Sequence, residues 1–184
     1  MRFIGLRHGQ STYNLRHLCN DDPAREVRLT GKGIAQAGAA IAALRQAGPT
    51  AIHCSPLPRT VQTARIVNAA LHLPLHLEPA LADIRTGFDG RPVAAYLAAI
   101  AHDPLHARHN GGESLQDHCA RVSACLQRLA EQGRDNLLLV AHEETLRVFK
   151  AWAEGLPLQQ VIGLPFGNCE PYLFDSGNTH GGTA

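Results

Sequence analysis

Phe3-Ile4-Gly5-Leu6-Arg7-His8-Gly9 begins as a short apolar run and ends on three residues of a different kind. Phe3 to Leu6 reads as a strand, which places Arg7 and His8 at its carboxyl end. In open α/β sheets ligands bind along that edge. A neutral imidazole there is a candidate nucleophile. The neighbouring guanidinium can hold a phosphate through paired hydrogen bonds.

Outward from this stretch, strand-like and helix-period segments alternate, as in a three-layer α/β sandwich with a mostly parallel central sheet. Ser11 to Arg28 is polar and irregular and reads as a loop. Ile34, Ala37, Ile41 and Leu44 repeat at helical spacing until Gly48-Pro49 ends the helix. Ala51 to Cys54 is a second strand, and Ser55-Pro56 opens a helix carrying Leu57, Val61, Ala64 and Val67. Leu73 to Leu77 reads as a third strand, because Pro74 excludes a mid-helix position. Loops at Asp83–Pro92 and His102–Gly112 flank a helix over Val93 to Ala101.

Leu115, Val122, Leu126 and Leu129 mark an amphipathic helix, with Gly133 beyond its end. Leu137 to Ala141 is all apolar, as a central strand buried on both faces should be. Leu146 and Phe149 lie on a helix closed by Gly155, and Tyr172-Leu173-Phe174 forms a last strand. One domain over residues 1–175 is expected, followed by a disordered Gly-rich tail from Ser176 to Ala184.

A hydrophobic fraction of 45% with 18% charged residues suits a globular core. Seventeen Lys and Arg against 16 Asp and Glu give a formal charge of +1, which offers no electrostatic case for nucleic acid or an anionic membrane as partner. The five cysteines are odd in number and lack C-x-x-C spacing, so neither a disulfide framework nor a zinc site is expected. Leu137–Ala141, the longest aliphatic run, is too short to span a bilayer, and no signal segment precedes the first strand. A cytoplasmic protein without metal or cofactor, monomeric or homodimeric, is the expectation.

Three motifs each follow a strand: Arg7-His8-Gly9, Ser55-Pro56-Leu57-Pro58-Arg59-Thr60, and His142. If those strands are parallel neighbours, two Arg and two His meet at one carboxyl edge as an anion-selective group. Arg59 in a first helical turn is mildly unfavourable with the helix dipole, but beside a bound phosphate the two cooperate.

These residues resemble the histidine phosphatases, the phosphoglycerate mutase-like superfamily. Arg7-His8-Gly9-Gln10-Ser11-Thr12-Tyr13-Asn14 looks like its R-H-G-x-[ST]-x-x-N signature, and Leu29-Thr30-x-x-Gly33-x-x-Gln36-Ala37 looks like its L-T-x-x-G-x-x-Q-A segment. Ser55-Pro56-Leu57-x-Arg59-x-x-Gln62-Thr63-Ala64 is similar to a further motif. Leu81-x-Asp83 followed by Gly87-Phe88-Asp89-Gly90 resembles L-x-E…G-x-x-E-G with both acids shortened. Gly111-Gly112-Glu113-Ser114 with Arg121, and Val140-Ala141-His142 with Arg147, complete the series, which runs in family order from about residue 2 to 174.

The resemblance implies that His8 attacks phosphorus to give a phosphohistidine, with Arg7, Arg59 and His142 holding the equatorial oxygens. Asp83 would protonate the leaving oxygen and later deprotonate water, unless Asp89 takes that role. Asn14, Gly9 and Ser11 fall in the implied phosphate pocket. Glu143 and Glu144 stand where many members have small residues. They either favour a helix's first turn or face the non-phosphate half of a substrate and bind hydroxyl or amine groups.

Other residues have plainer readings. Ser55 suits an N-cap, Arg121 a helix surface or a structural ion pair, and His102, His106 and His109 a solvated loop. Against the longer insertions by which mutases of the resembled family enclose a bisphosphate, the Gly90–Gly112 segment is short, so the resemblance implies an open pocket that water can reach. A phosphomonoesterase acting on a small-molecule phosphate ester is therefore expected. The alternatives are phosphoglycerate mutase-type transfer and a phosphate-binding or regulatory protein with weakened catalysis.

Overall fold

The computed structural model describes residues 1–177. Its sheet has five strands in the order β3-β2-β4-β1-β5: β1 (Arg2–Arg7), β2 (Ile52–Cys54), β3 (Leu75–Leu77), β4 (Leu137–Ala141) and β5 (Pro171–Asp175). The first four run parallel, and β5 pairs antiparallel with β1 at the edge. The three motif-bearing strands are thus neighbours, with β4 in the middle.

Alternation along β4 explains its unbroken apolar sequence. Leu137, Leu139 and Ala141 face a core built with Val122, Leu126 and Leu129 of α6 (Leu115–Glu131) and Leu146 and Phe149 of α7 (Glu143–Glu154). Leu138 and Val140 face the opposite core, formed with α2 (Gly31–Ala39), α3 (Ile41–Ala47) and α4 (Pro58–Leu71). Both faces are covered, so neither parity can be polar. Gly5 of β1 has a steric role: a Cβ there would stand 2.7 Å from Phe174, within the aromatic packing of Phe3, Phe149 and Phe174.

Three local expectations change. The segment Ser11–Arg28 contains α1 (Thr12–Arg16), a single turn without apolar periodicity that a capping box between Ser11 and Asn14 sustains. The helix expected through Ile34 and Leu44 is broken at Ala40 into α2 and α3. Ser55 does not cap α4: that helix starts at Pro58 with Leu57 as N-cap, and the Ser55 hydroxyl turns to other partners. The helix over Val93–Ile100 forms as expected and is α5.

Ser176, assigned to the tail from sequence, accepts a hydrogen bond from the Met1 ammonium at 3.0 Å. Residues 178–184 of that tail lie outside the described residues. Among the described residues no helix is long and apolar enough to cross a membrane.

Candidate active site

Strand register brings the motifs together. Arg7 pairs with Ala141 across β1 and β4, and Cys54 pairs with Val140 across β2 and β4. The next residues, His8, His142 and Ser55, therefore emerge side by side at the carboxyl edge. The His8 amide donates to the Ala141 carbonyl at 3.0 Å and the Ser55 amide to the Val140 carbonyl at 3.0 Å. The two imidazoles lie with ring centroids 5.2 Å apart.

Hydrogen bonding fixes the His8 tautomer. Its Nδ1 lies 2.7 Å from the Gly9 carbonyl, which can only accept, so Nδ1 carries the proton and Nε2 keeps its lone pair. Nε2 accepts from Arg59 Nε at 3.0 Å. His142 is fixed in the opposite sense. Its Nδ1 accepts from Arg59 Nη2 at 3.0 Å, so its Nε2–H donates to Ser55 Oγ at 2.8 Å. Burial pushes both imidazoles well below the usual histidine range, and the Arg59 charge adds to the shift. Both are neutral at physiological pH.

Arg59 is the hub of the site. Besides the two histidines it contacts Asn20 Oδ1, the Asn20 carbonyl at 3.0 Å and Asp83 Oδ2 at 2.9 Å. Only 3% of it is exposed, yet every nitrogen has a partner, which makes a buried guanidinium tolerable. Arg7 donates to the Phe166 carbonyl at 2.8 Å and pairs with Glu143 at 2.9 Å, while its buried Nε has no partner. An unsatisfied guanidinium N–H beside the His8 imidazole is a donor suited to an oxyanion.

Asp83 meets the constellation from the loop after a 3₁₀ turn at Pro79–Leu81. Its carboxylate reaches Arg59 and stands 3.4 Å from His142 Nδ1. Burial raises its pKa against the pull of Arg59. Asp89 is held elsewhere, paired with Arg25 and accepting from Asn20 Nδ2 at 3.0 Å and the Asp21 amide at 3.1 Å. Those hydrogen bonds hold it below the usual carboxylate range, although burial opposes them. Asp83, and not Asp89, lines the cavity with His8.

The Asp83 loop is clamped from behind by the start of α6. Arg121 donates to the carbonyls of Ala80 at 2.8 Å, Ala82 at 3.2 Å and Asp83 at 3.4 Å. It also pairs with Glu113 at 2.5 Å, and Glu113 accepts the Arg85 amide at 3.1 Å. The structural ion pair expected of Arg121 is thus present, and it fixes the backbone that carries Asp83.

The cavity over these groups has a volume of about 190 Å³. Arg7, His8, Ser11, Asn14, Arg59 and Asp83 line it, together with Glu143 and Glu144. Asn14 Oδ1 accepts from the Ser11 amide at 2.9 Å, leaving its amide nitrogen as the donor end. Gly9 is not among the lining residues. It packs so closely on Gly33 that a Cβ on either would run into the other strand of backbone. This contact gives both glycine positions a physical reason.

His142 itself does not line the cavity and reaches it through Arg59 and Asp83. Glu143 and Glu144 open α7, and Arg147 pairs with both. Sequence reasoning missed Asn20, Tyr13 and Tyr96 in the cavity wall. Nothing in the sequence near Asn20 signals its bond to a residue 39 positions away. Among the described residues no group of three or more His, Cys, Asp or Glu is placed to hold a metal ion.

Residues 3–181 match the profile of the histidine phosphatase superfamily, branch 1. Over 170 residues the chain is 30% identical to the adenosylcobalamin/alpha-ribazole phosphatase of Escherichia coli (strain K12), covering 88% of this chain and 83% of that protein. It is 31% identical over 178 residues to a protein named "Probable phosphoglycerate mutase GpmB" from Enterobacter sp. (strain 638), covering 89% of this chain and 80% of that one. Among solved structures, the alpha-ribazole phosphatase of Shigella flexneri superposes with a TM-score of 0.85 at 28% identity, covering 95% of this chain and 90% of that one.

Proposed function

The chain belongs to the histidine phosphatase superfamily, branch 1, and from that premise we propose that it hydrolyses small-molecule phosphomonoesters through a phosphohistidine on His8. The observation that carries this reading is the Nδ1–H to Gly9 carbonyl bond, which leaves the His8 Nε2 lone pair directed at the Arg59 guanidinium. A phosphate that takes over the Arg59 Nε donor would lie against that lone pair.

Nε2 attacks phosphorus and the ester P–O bond breaks. Asp83, whose pKa burial raises toward the range of a general acid, delivers a proton to the departing oxygen. Arg7 and Arg59 stabilise charge on the equatorial oxygens, and His142 helps to orient Arg59. For attack to occur, the Arg59 Nε bond must pass from His8 to a phosphate oxygen. In the second half water attacks phosphorus, Asp83 takes its proton, and the P–N bond breaks to free His8. Asn14 donates to the phosphate, and Ser11 holds Asn14 in place.

Phosphate release from a panel of metabolite esters tests the reading, with His8→Ala as control. Release by the wild type and its loss in the variant are expected. Similarity to the GpmB protein keeps a mutase reading in view. Isomerisation of 3-phosphoglycerate faster than phosphate release would favour it.

A further inference from the structure

Beside the cavity over His8 lies a second cavity of about 410 Å³. Ile84, Val93, Tyr96, Leu97, Glu143 and Glu144 line both. One wall of the outer cavity is α5 and another is the stretch at Ile162 and Gly163. Seven large hydrophobic side chains are exposed among the described residues, and three of them meet here. They are Val93 at 36%, Leu97 at 54% and Ile162 at 41% exposure. Val93 and Leu97 are one turn apart on α5 and present adjacent side chains. Such a concentration of exposed apolar surface beside a reaction centre has the character of a ligand site.

The charges in the outer cavity are unequal. Glu143 and Glu144 contribute two carboxylates, against which the lining offers Arg147, while Arg7 pairs with Glu143 from the inner cavity at 2.9 Å. The Arg147 guanidinium is already committed: it pairs with Glu144, lies 3.5 Å from Glu143 and donates to the Leu164 carbonyl at 2.9 Å. A carboxylate or second phosphate placed here would face two acids and no uncommitted cation among the described lining residues.

From this juxtaposition of apolar walls and acidic rim we infer that the outer cavity receives the alcohol half of the substrate. It takes an apolar alcohol that carries no negative charge. The inference rests on the phosphomonoesterase reading and narrows it: phosphoglycerates and bisphosphates are disfavoured, while neutral or ammonium-bearing apolar alcohols are accepted.

The test is phosphate release from ethyl, butyl, hexyl and octyl phosphates, and from hexyl phosphate compared with its ω-carboxylated and ω-aminated counterparts. The distal group is too far from the ester oxygen to change its basicity, so differences report the outer cavity. The expected kcat/KM rises by about fourfold per buried methylene until the space is filled. The carboxylated ester trails hexyl phosphate by about tenfold or more, in keeping with like charges in a partly buried site, while the aminated ester does not trail. Leu97→Asn, at an exposed position, flattens the chain-length slope, and Glu144→Gln narrows the carboxylate penalty. A flat chain-length profile, or a carboxylated ester that matches the hexyl ester, would overturn the inference while leaving the hydrolase intact. Release from no ester at all would instead defeat the phosphomonoesterase reading, and this inference with it.

Discussion

Replacing Arg121 with Met separates the positioning of the acid from the rest of the chemistry. Arg121 spans three carbonyls of the Asp83 loop and the Glu113 carboxylate, but it does not line the reaction cavity. Its loss leaves Glu113, 5% exposed, with Arg85 at 3.4 Å as its remaining guanidinium partner, and Arg85 is largely exposed. Breaking such a pair costs roughly 3 kcal/mol of stability, visible as a lower urea midpoint.

The kinetic signature is selective. A positioned general acid is worth about 10²–10⁴ in rate, and an ångström of misplacement costs about a hundredfold. Alkyl phosphates, whose alkoxide needs a proton, should lose about a hundredfold in kcat/KM. 4-Nitrophenyl phosphate, whose phenolate leaves unaided, should lose less than about fivefold, since Arg7, Arg59 and His8 are untouched. Glu113→Gln gives a milder version of the same pattern and serves if Arg121→Met does not fold. Equal losses on both esters in a folded variant, or no loss on either, would refute the clamp as a device for placing Asp83.

The remaining expectations concern pH, packing and the acid itself. In a kcat/KM–pH profile, which reports the free enzyme, the acid limb should lie well below 6.5, because burial and the Arg59 charge keep His8 neutral there, and the alkaline limb above the ordinary Asp value of 3.8. Asp83→Asn should remove the alkaline limb, and retention of that limb would point to another group. His8 and His142 are buried neutral, so unfolding takes up protons as pH falls below 6.5. Stability that is full above that value should fall below it with a slope of at most about 3 kcal/mol per pH unit, and a His8→Asn, His142→Asn double variant should flatten the dependence. Gly33→Ala drives a methyl into the Gln10 carbonyl and should cost about 1–3 kcal/mol in chemical denaturation; an unchanged midpoint would contradict the close backbone contact.

The parts of the fold legible in sequence are those where burial writes itself into residue type. Leu137–Ala141 is apolar at every position because both faces of β4 are covered. From sequence, that the three motif-bearing strands are parallel neighbours is only a condition for their motifs to meet, and the order β3-β2-β4-β1-β5 comes from the structure. Elements held by polar contacts were less legible: α1 depends on one Ser–Asn capping exchange, and the break at Ala40 has no Pro or Gly at the break itself. At the site, His8, Arg59 and His142 stand on strand ends and a helix start, so topology places them. Asn20 and the Glu143–Arg7 pair depend on through-space partners far along the chain, which no local pattern reveals. The shortened acid is ambiguous in sequence between two aspartates; in the structure Asp83 lines the cavity with His8, and Asp89 is bonded to Arg25, Asn20 and the Asp21 amide.

The most direct test of the account is to catch the covalent intermediate. The enzyme is mixed with excess 4-nitrophenyl phosphate, quenched in alkali where phosphohistidine survives, digested and examined by mass spectrometry. A phosphoryl group on the peptide containing His8, lost in His8→Ala together with turnover, is the result expected. A phosphoryl group on another residue, or undiminished phosphate release by His8→Ala, would contradict the central claim.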